Sequence, residues 1–198
     1  MPLIPRRRID SQALANFLKK EIEPLSDFIY GNRYRAAARL LDGTYLPCVV
    51  FQSKSAQLDL ALRRFDELRS KPDQYRTVVE TFVAGGSRIA EYEIKSVEAS
   101  PYAWPLAILR QIHGETVMSW TAFVVEMKDG SMHSYGTSYN FEFFDLPDGY
   151  SFRDITAVHS GMVYSTERRM IEPFSVSPQD SVQTYREKPF LTCYLSQL

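Results

Sequence analysis

The chain has 198 residues, with 23 basic against 24 acidic side chains for a net charge of -1, and is 44% apolar and 24% charged. That length suffices for one sizeable hydrophobic core, the composition excludes wholesale disorder and fibrous classes, and near-zero net charge gives no field to draw in nucleic acid or an anionic membrane. Arg6-Arg7-Arg8 lacks the apolar stretch of a secretory signal, no apolar run approaches the ~18 residues of a membrane span, and Cys48 and Cys193 read as free thiols, so the expected location is cytoplasmic.

Residues 1 to 8 are expected to form a flexible basic arm ahead of a single α+β domain over residues 9 to 198. Asp10 or Ser11 is placed to cap a helix with Leu14, Phe17, Leu18 and Ile22 on one face, and Pro24 ends it. Tyr34, Ala36, Ala38 and Leu40 alternate with Arg35, Ala37 and Arg39 at strand spacing. The stretch from Tyr34 to Phe51 therefore reads as a hairpin folded at Asp42-Gly43. Ser55 and Pro72 bracket a second helix whose stripe is Leu58, Ala61, Leu62, Phe65 and Leu68. Tyr75, Val78, Val79, Phe82 and Val83 have helical spacing, which assigns residues 73 to 84 to helix, and Arg88 to Val97 alternates as a half-exposed strand.

Pro105 opens a short helix through Ile108, Leu109 and Ile112 that closes at His113-Gly114. Met118 to Met127, Ser131 to Phe144 and Tyr150 to Val158 follow as strands joined at Asp129-Gly130 and Asp148-Gly149, a three-strand meander. Ser177-Pro178-Gln179-Asp180 resembles a capping box before a short helix near Val182 and Tyr185, and Phe190 to Leu195 makes a last strand. The fold class is α+β. A predominantly antiparallel sheet of roughly five to seven strands, built from Asp-Gly hairpins and the meander, carries helices near 11 to 23, 55 to 70 and 105 to 113 on one side.

Asp-Gly between apolar runs favours a two-residue type I′ turn, in which both central residues take positive φ. On that turn at Asp129-Gly130, Glu126 faces His133, Val124 faces Tyr135 and Trp120 faces Tyr139. One face then carries Trp120, Tyr135 and Tyr139 as walls for a ligand, with Glu126 and His133 as candidate acid and base; Phe123, Val125, Met127 and Met132 form the core face. A carboxylate beside an imidazole raises its pKa and orients it, as general acid-base chemistry requires. The same pair is also what an ordinary cross-strand contact worth roughly 0.2 to 1 kcal/mol looks like.

In the first hairpin the two-residue turn pairs Tyr34 with Phe51, Ala36 with Val49, Ala38 with Pro47 and Leu40 with Tyr45. Cys48 then lies diagonally between Arg35 and Arg39, where two cations favour thiolate; it is the reactive-thiol candidate, set against the commoner reading of a small buried hydrophobe. His113, His133 and His159 form no His-x-x-His and the cysteines no Cys-x-x-Cys, so no metal framework is expected. Gly-x-Gly-x-x-Gly, P-loop and Gly-x-Ser-x-Gly patterns are absent, and no cofactor is expected. Arg63-Arg64 and Arg168-Arg169 read as solvated, which leaves nucleic acid the least favoured partner.

These features rank a non-enzymatic binding or protein-interaction module first, taking a protein partner or a small apolar or aromatic ligand. A small-molecule enzyme or ligand carrier using the aromatic face comes second and a nucleic-acid binder third.

Overall fold

A computed structural model describes residues 10–27, 31–68, 74–78, 87–117, 119–138, 141–175 and 184–198. The chain divides into two compact units: unit 1 is Met1–Pro101 with Phe190–Leu198, and unit 2 is Tyr102–Pro189. The fold is mixed α+β, antiparallel in six of nine described strand pairings, with helices packed against the sheets. The basic arm and the Ser177–Asp180 segment lie outside the described residues.

Unit 1 opens with α1 (Ser11–Glu21), where Asp10 accepts a hydrogen bond from the Gln12 amide at 3.0 Å and Lys19 and Lys20 occupy the last turn. Both ends suit the helix dipole and its orphan backbone groups. The strands are β1 (Leu25–Asp27), β2 (Gly31–Leu40), β3 (Tyr45–Ser53), β4 (Arg88–Ile89), β5 (Ile94–Ala99) and, after unit 2 in sequence, β12 (Leu191–Leu195). They lie in the order β1-β2-β3-β12-β4, and β5 pairs with β2. β12 runs parallel to both neighbours, from Leu191 opposite Val49 to Leu195 opposite Ser53, with Cys193 opposite Ile89. α2 (Lys54–Glu67) and α3 (Gln74–Val78) lie between β3 and β4 in the chain. Leu14 and Leu18 pack on Tyr34, Ala36, Ala38, Val49, Phe51, Ile94, Cys193 and Leu195.

The alternating stretch from Arg88 splits into two strands separated by a 3-10 turn at Glu91–Glu93, since β4 pairs with β12 whereas β5 pairs with β2. Period two cannot distinguish one strand from two with different neighbours. In α2 the cap is Ser53, accepting from the Ala56 amide at 3.3 Å, and not Ser55. Leu58, Leu60 and Leu62 cannot share one helical face, and packing selects Leu60 and Ala61; Leu58 and Leu62 stay 59% and 55% exposed. Of the helix expected over 73 to 84, Gln74–Val78 forms, and residues 79–84 lie outside the described residues.

Unit 2 holds α4 (Leu106–Leu109), β6 (Thr121–Met127), β7 (Met132–Thr137), β8 (Ile155–Ser160), β9 (Met162–Ser165), β10 (Met170–Pro173) and β11 (Thr184–Arg186). Its four-stranded order is β11-β7-β6-β8, and β9 and β10 pair as a separate hairpin. A meander would put β7 in the middle, but β6 is central because β8 pairs with β6. The third Asp-Gly pair sits in a turn closed by Tyr150 N donating to the Pro147 carbonyl at 3.2 Å, inside a long connection. Tyr185 lies in strand β11, parallel to β7, where a helix was expected.

The other two Asp-Gly pairs do lie in hairpins, through a different turn. Gly130 N donates to the Met127 carbonyl and Met127 N to the Ser131 carbonyl, both at 2.9 Å; Gly43 and Leu40 make the same two bonds to Leu40 and Thr44. Each loop has three residues and ends on a glycine at φ +82 or +93, whereas neither aspartate has positive φ. This is a type I turn followed by a left-handed glycine, one residue longer than type I′. The pairing sum shifts by one throughout β6/β7, giving Glu126 opposite Met132, Val125 opposite His133 and Phe123 opposite Tyr135. In the first hairpin a bulge between Ala36 and Ala38 restores the expected register, so Tyr34 still faces Phe51 and Ala36 faces Val49, while Ala38 faces Leu46 and Arg39 faces Tyr45.

Leu195, fully buried between strands that cannot pair without β12, is a strict test of unit 1. Leu195→Ala is expected to lower its stability by about 2 to 5 kcal/mol, measured in urea through the rate at which buried Cys48 reacts with a thiol reagent.

Candidate functional site

The one-residue shift moves every side chain of the β6/β7 hairpin to a new partner and regroups its faces. Phe123 and Tyr135, expected on opposite faces, stack at 5.2 Å between ring centroids. With Trp104, Phe143 and Phe144 they are fully or almost fully buried. Trp104 meets Tyr135 edge-on at 4.8 Å and Phe144 at 5.5 Å. These aromatics fill the interior of unit 2. Burial first, and then the nearby Tyr185 and Asp145, push the Tyr135 phenol well above its ordinary range, and its hydroxyl donates to the Asp145 carbonyl at 3.1 Å.

Trp120 lies elsewhere. Its indole covers Gly136, where an added Cβ would come within 2.1 Å of Trp120 Cζ2, and its ring neighbour is Phe174 at 6.5 Å. Gly136 is adjacent to Tyr135 in β7 and so faces the other side of the sheet. Of the three expected walls, Trp120 and Tyr135 are separated by the sheet, and Tyr139 lies outside the described residues.

Glu126 and His133 are likewise not brought together. Glu126 meets His159 of β8 at 3.3 Å, both side chains about one-third exposed. His133 instead joins a polar cluster at the hairpin tip. Asp129 Oδ1 accepts from the Ser131 amide at 3.0 Å and from its hydroxyl at 2.8 Å, and Tyr150 donates its hydroxyl to Asp129 Oδ2 at 2.6 Å. His133 Nε2 lies 3.2 Å from Ser131 Oγ.

Serine, histidine and aspartate within reach of one another invite a nucleophilic reading, but proton bookkeeping opposes it. Ser131 has one hydroxyl proton, and the Asp129 carboxylate, the stronger acceptor, takes it. His133 must then donate to Ser131 through Nε2 and cannot act as its base. A working triad needs the carboxylate on the far nitrogen of the histidine; here it sits on the serine. The tip is instead clamped, since Lys128 pairs with Asp154, its amide donates to the Asp154 carbonyl at 2.8 Å, and Asp154 accepts from the Ser151 amide at 2.7 Å.

Cys48 is buried in β3. Arg35 remains near it in register, opposite Val50, but Arg39 pairs with Tyr45, holds its guanidinium 5.2 Å from that ring and donates to the Gly43 carbonyl at 3.4 Å. The bulge at Ala36/Ala38 displaces Arg39 from the diagonal with Cys48. Cys193 is buried as well, and its thiol is pushed up to about 12 by burial and then by Glu91.

A concavity of about 390 Å³ in unit 1 is lined by Lys54, Arg88, Ile89, Ala90, Glu91, Tyr92 and Tyr194. It lies at the carboxyl ends of the parallel strands β3, β12 and β4. Ile89 and Cys193 point into the core, so their neighbours Arg88 and Tyr194 share the opposite face. The Arg88 guanidinium lies 4.9 Å over the Tyr194 ring. Glu91 accepts from the Ser196 amide and hydroxyl at 3.3 and 3.4 Å. These residues come from three separated segments with no spacing rule between them, so sequence reading missed the groove. Its only local trace was the cation-aromatic pattern at Arg88 and Tyr92.

Acid should loosen unit 2 in two steps. The Asp129 carboxyl is held at about 2, first by Tyr150 and then by Ser131, and the Asp154 carboxyl at about 2 by Lys128 and then Ser151. Depressed carboxyl values mean stability that is fully present above the ordinary 3.8 and lost as pH falls toward 2. His133 is shifted below 6.5, by burial outweighing Asp129, so the unfolded chain binds its proton more readily and stability also declines as pH drops below 6.5. Trp fluorescence at fixed urea is expected to show both declines; Asp129→Asn should shrink the lower one and His133→Gln the upper. Separately, Gly136→Ala must displace Trp120, red-shifting its emission and costing about 1 to 3 kcal/mol in urea unfolding.

Among the described residues no group of three or more His, Cys, Asp or Glu is arranged to hold a metal ion, and no helix is long and apolar enough to cross a membrane. Comparison of the chain with protein-family models, with curated proteins and with solved structures finds no match.

Proposed function

We propose that this protein is a non-enzymatic binding module whose ligand occupies the groove of unit 1. One observation carries the reading: Lys54, which makes no ion pair among the described residues, shares an open concavity with an arginine stacked on Tyr194 and with the 62% exposed ring of Tyr92. Exposed aromatic and cationic groups converging on a concave surface are the usual furniture of a small-molecule site. The groove also lies beyond the carboxyl ends of the parallel strands β3, β12 and β4, the side on which open α/β sheets bind ligands, a likeness at the level of the sheet alone. The acid-base groups of unit 2 support the non-enzymatic side of the reading. Asp129, Ser131 and Tyr150 satisfy one another at a hairpin tip, an arrangement that stabilises a turn.

A fragment library screened by two-dimensional NMR tests the assignment. Binding fragments are expected to move the resonances of Lys54, Arg88, Tyr92 and Tyr194 as one set. Fragments that converge on Ser131 and His133 while the groove stays silent would overturn it and favour the enzyme reading.

A further inference from the structure

We propose that Asp148, alone among the aspartates of the three Asp-Gly pairs, is a site of spontaneous isomerisation to isoaspartate, and that this modification loosens the clamp on the β6/β7 hairpin tip. The chemistry needs only water. The backbone nitrogen of the glycine attacks Cγ of the preceding aspartate. The N–Cγ bond forms, the bond from Cγ to its hydroxyl breaks, and that hydroxyl leaves with the amide proton as one water molecule. A second water opens the resulting succinimide. Addition at Cγ regenerates aspartate, whereas addition at the former backbone carbonyl breaks its bond to nitrogen. The chain then runs through Cγ, with one extra methylene and a free α-carboxylate, which changes the physics of the backbone as any covalent modification does. Glycine suits the first step because no Cβ crowds its nitrogen.

All three pairs are exposed, so access to water does not rank them; their place in the turn does. In the two hairpins the glycine ends the turn and its N–H closes it, Gly43 onto the Leu40 carbonyl at 3.0 Å and Gly130 onto that of Met127 at 2.9 Å. The carboxylates are held as well, Asp42 by the Thr44 amide at 2.9 Å and Asp129 by Ser131 and Tyr150. These bonds turn nucleophile and electrophile away from each other and favour the ionised carboxylate, which has no hydroxyl to lose. With its carboxyl at about 2, Asp129 has a neutral fraction at least about tenfold below that of a carboxyl at 3.8. Asp148-Gly149 sits one position earlier in its turn. Tyr150, not the glycine, donates to the Pro147 carbonyl, and Gly149 takes the positive φ of +86 that a type II turn needs at its third position. Among the described residues neither the Gly149 amide nor the Asp148 carboxylate has a hydrogen-bond partner.

The consequence reaches the hairpin tip through two residues of chain. Tyr150 donates to Asp129 at 2.6 Å and lies 2.9 Å from Ser131 Oγ, and Asp154, just beyond, pairs with Lys128. An added methylene and a relocated carboxylate at position 148 displace the segment that makes these bonds.

The full chain is aged at neutral pH and physiological temperature, folded and in concentrated urea. Isoaspartate is quantified at all three pairs by electron-transfer dissociation of proteolytic peptides, in which the two isomers give different backbone fragments. In the folded chain, position 148 is expected to isomerise at least about tenfold faster than positions 42 and 129. In urea, where no turn holds the pairs, that preference should largely vanish. Tyr150→Phe removes one bond from Asp129 and should raise the folded-state rate at 129 severalfold. The aged fraction should show moved Ser131 and Tyr150 amide resonances, and Asp148→Glu, whose longer side chain closes the imide ring far more slowly, should age without that change. Equal rates at the three pairs in the folded chain, or the same preference in urea, would overturn the assignment. An unchanged rate at 129 in Tyr150→Phe would overturn protection by hydrogen bonding, and unmoved Ser131 and Tyr150 signals in the aged fraction would overturn the loosening of the clamp.

Discussion

The left-handed glycine at the end of the three-residue loop between β6 and β7 governs which side chains meet across that hairpin. Gly130 takes a backbone conformation closed to most residues, which lets the preceding Lys128-Asp129 pair form an ordinary type I turn while the strands remain in register. The aspartate contributes by a different route from the one its partnership with glycine suggests. It accepts from the amide two residues on, at Thr44 after Asp42 and at Ser131 after Asp129, and so locks the turn with its side chain. From that single choice follow the stacking of Phe123 on Tyr135 and the separation of Trp120 from Tyr135.

The polar groups at the hairpin tip illustrate how proximity and chemistry come apart. A serine, a histidine, a tyrosine and an aspartate crowd within hydrogen-bond reach, yet the protons available settle their roles. The carboxylate collects the hydroxyl protons, and the histidine is left to donate. Such a network fixes the position of the 150–154 segment against the turn. In unit 1 the balance is reversed: Lys54 and Tyr92 spend little of their capacity on neighbours and face solvent across a depression.

Much of the architecture was legible from sequence. The cap at Asp10, the Leu14/Leu18 stripe, the first hairpin and the last strand all follow from local patterns. What failed was topology and fine register. The centrality of β6 had a signal in the unbroken apolar run Ala122-Phe123-Val124-Val125, because a strand covered on both faces needs no alternation. The choice between a two- and a three-residue loop had none, since Asp-Gly suits both and only pairing along the whole ladder decides. The groove was illegible for a different reason. Its residues come from the start of α2, the 88–92 segment and β12, and only tertiary pairing gathers them.

The parallel placement of β12 between β3 and β4 has a consequence for synthesis. Both of its partners leave the ribosome before any residue of unit 2, and β12 leaves after all of it. Throughout that interval the sheet of unit 1 has a vacant central slot, with two unpaired strand edges and a half-built core. Such edges are where nascent chains capture wrong strands, their own or another copy's. The integrity of the groove at the end of β12 therefore depends on a closing event that waits for the whole of unit 2 to be made, and slow translation through unit 2 prolongs the exposure.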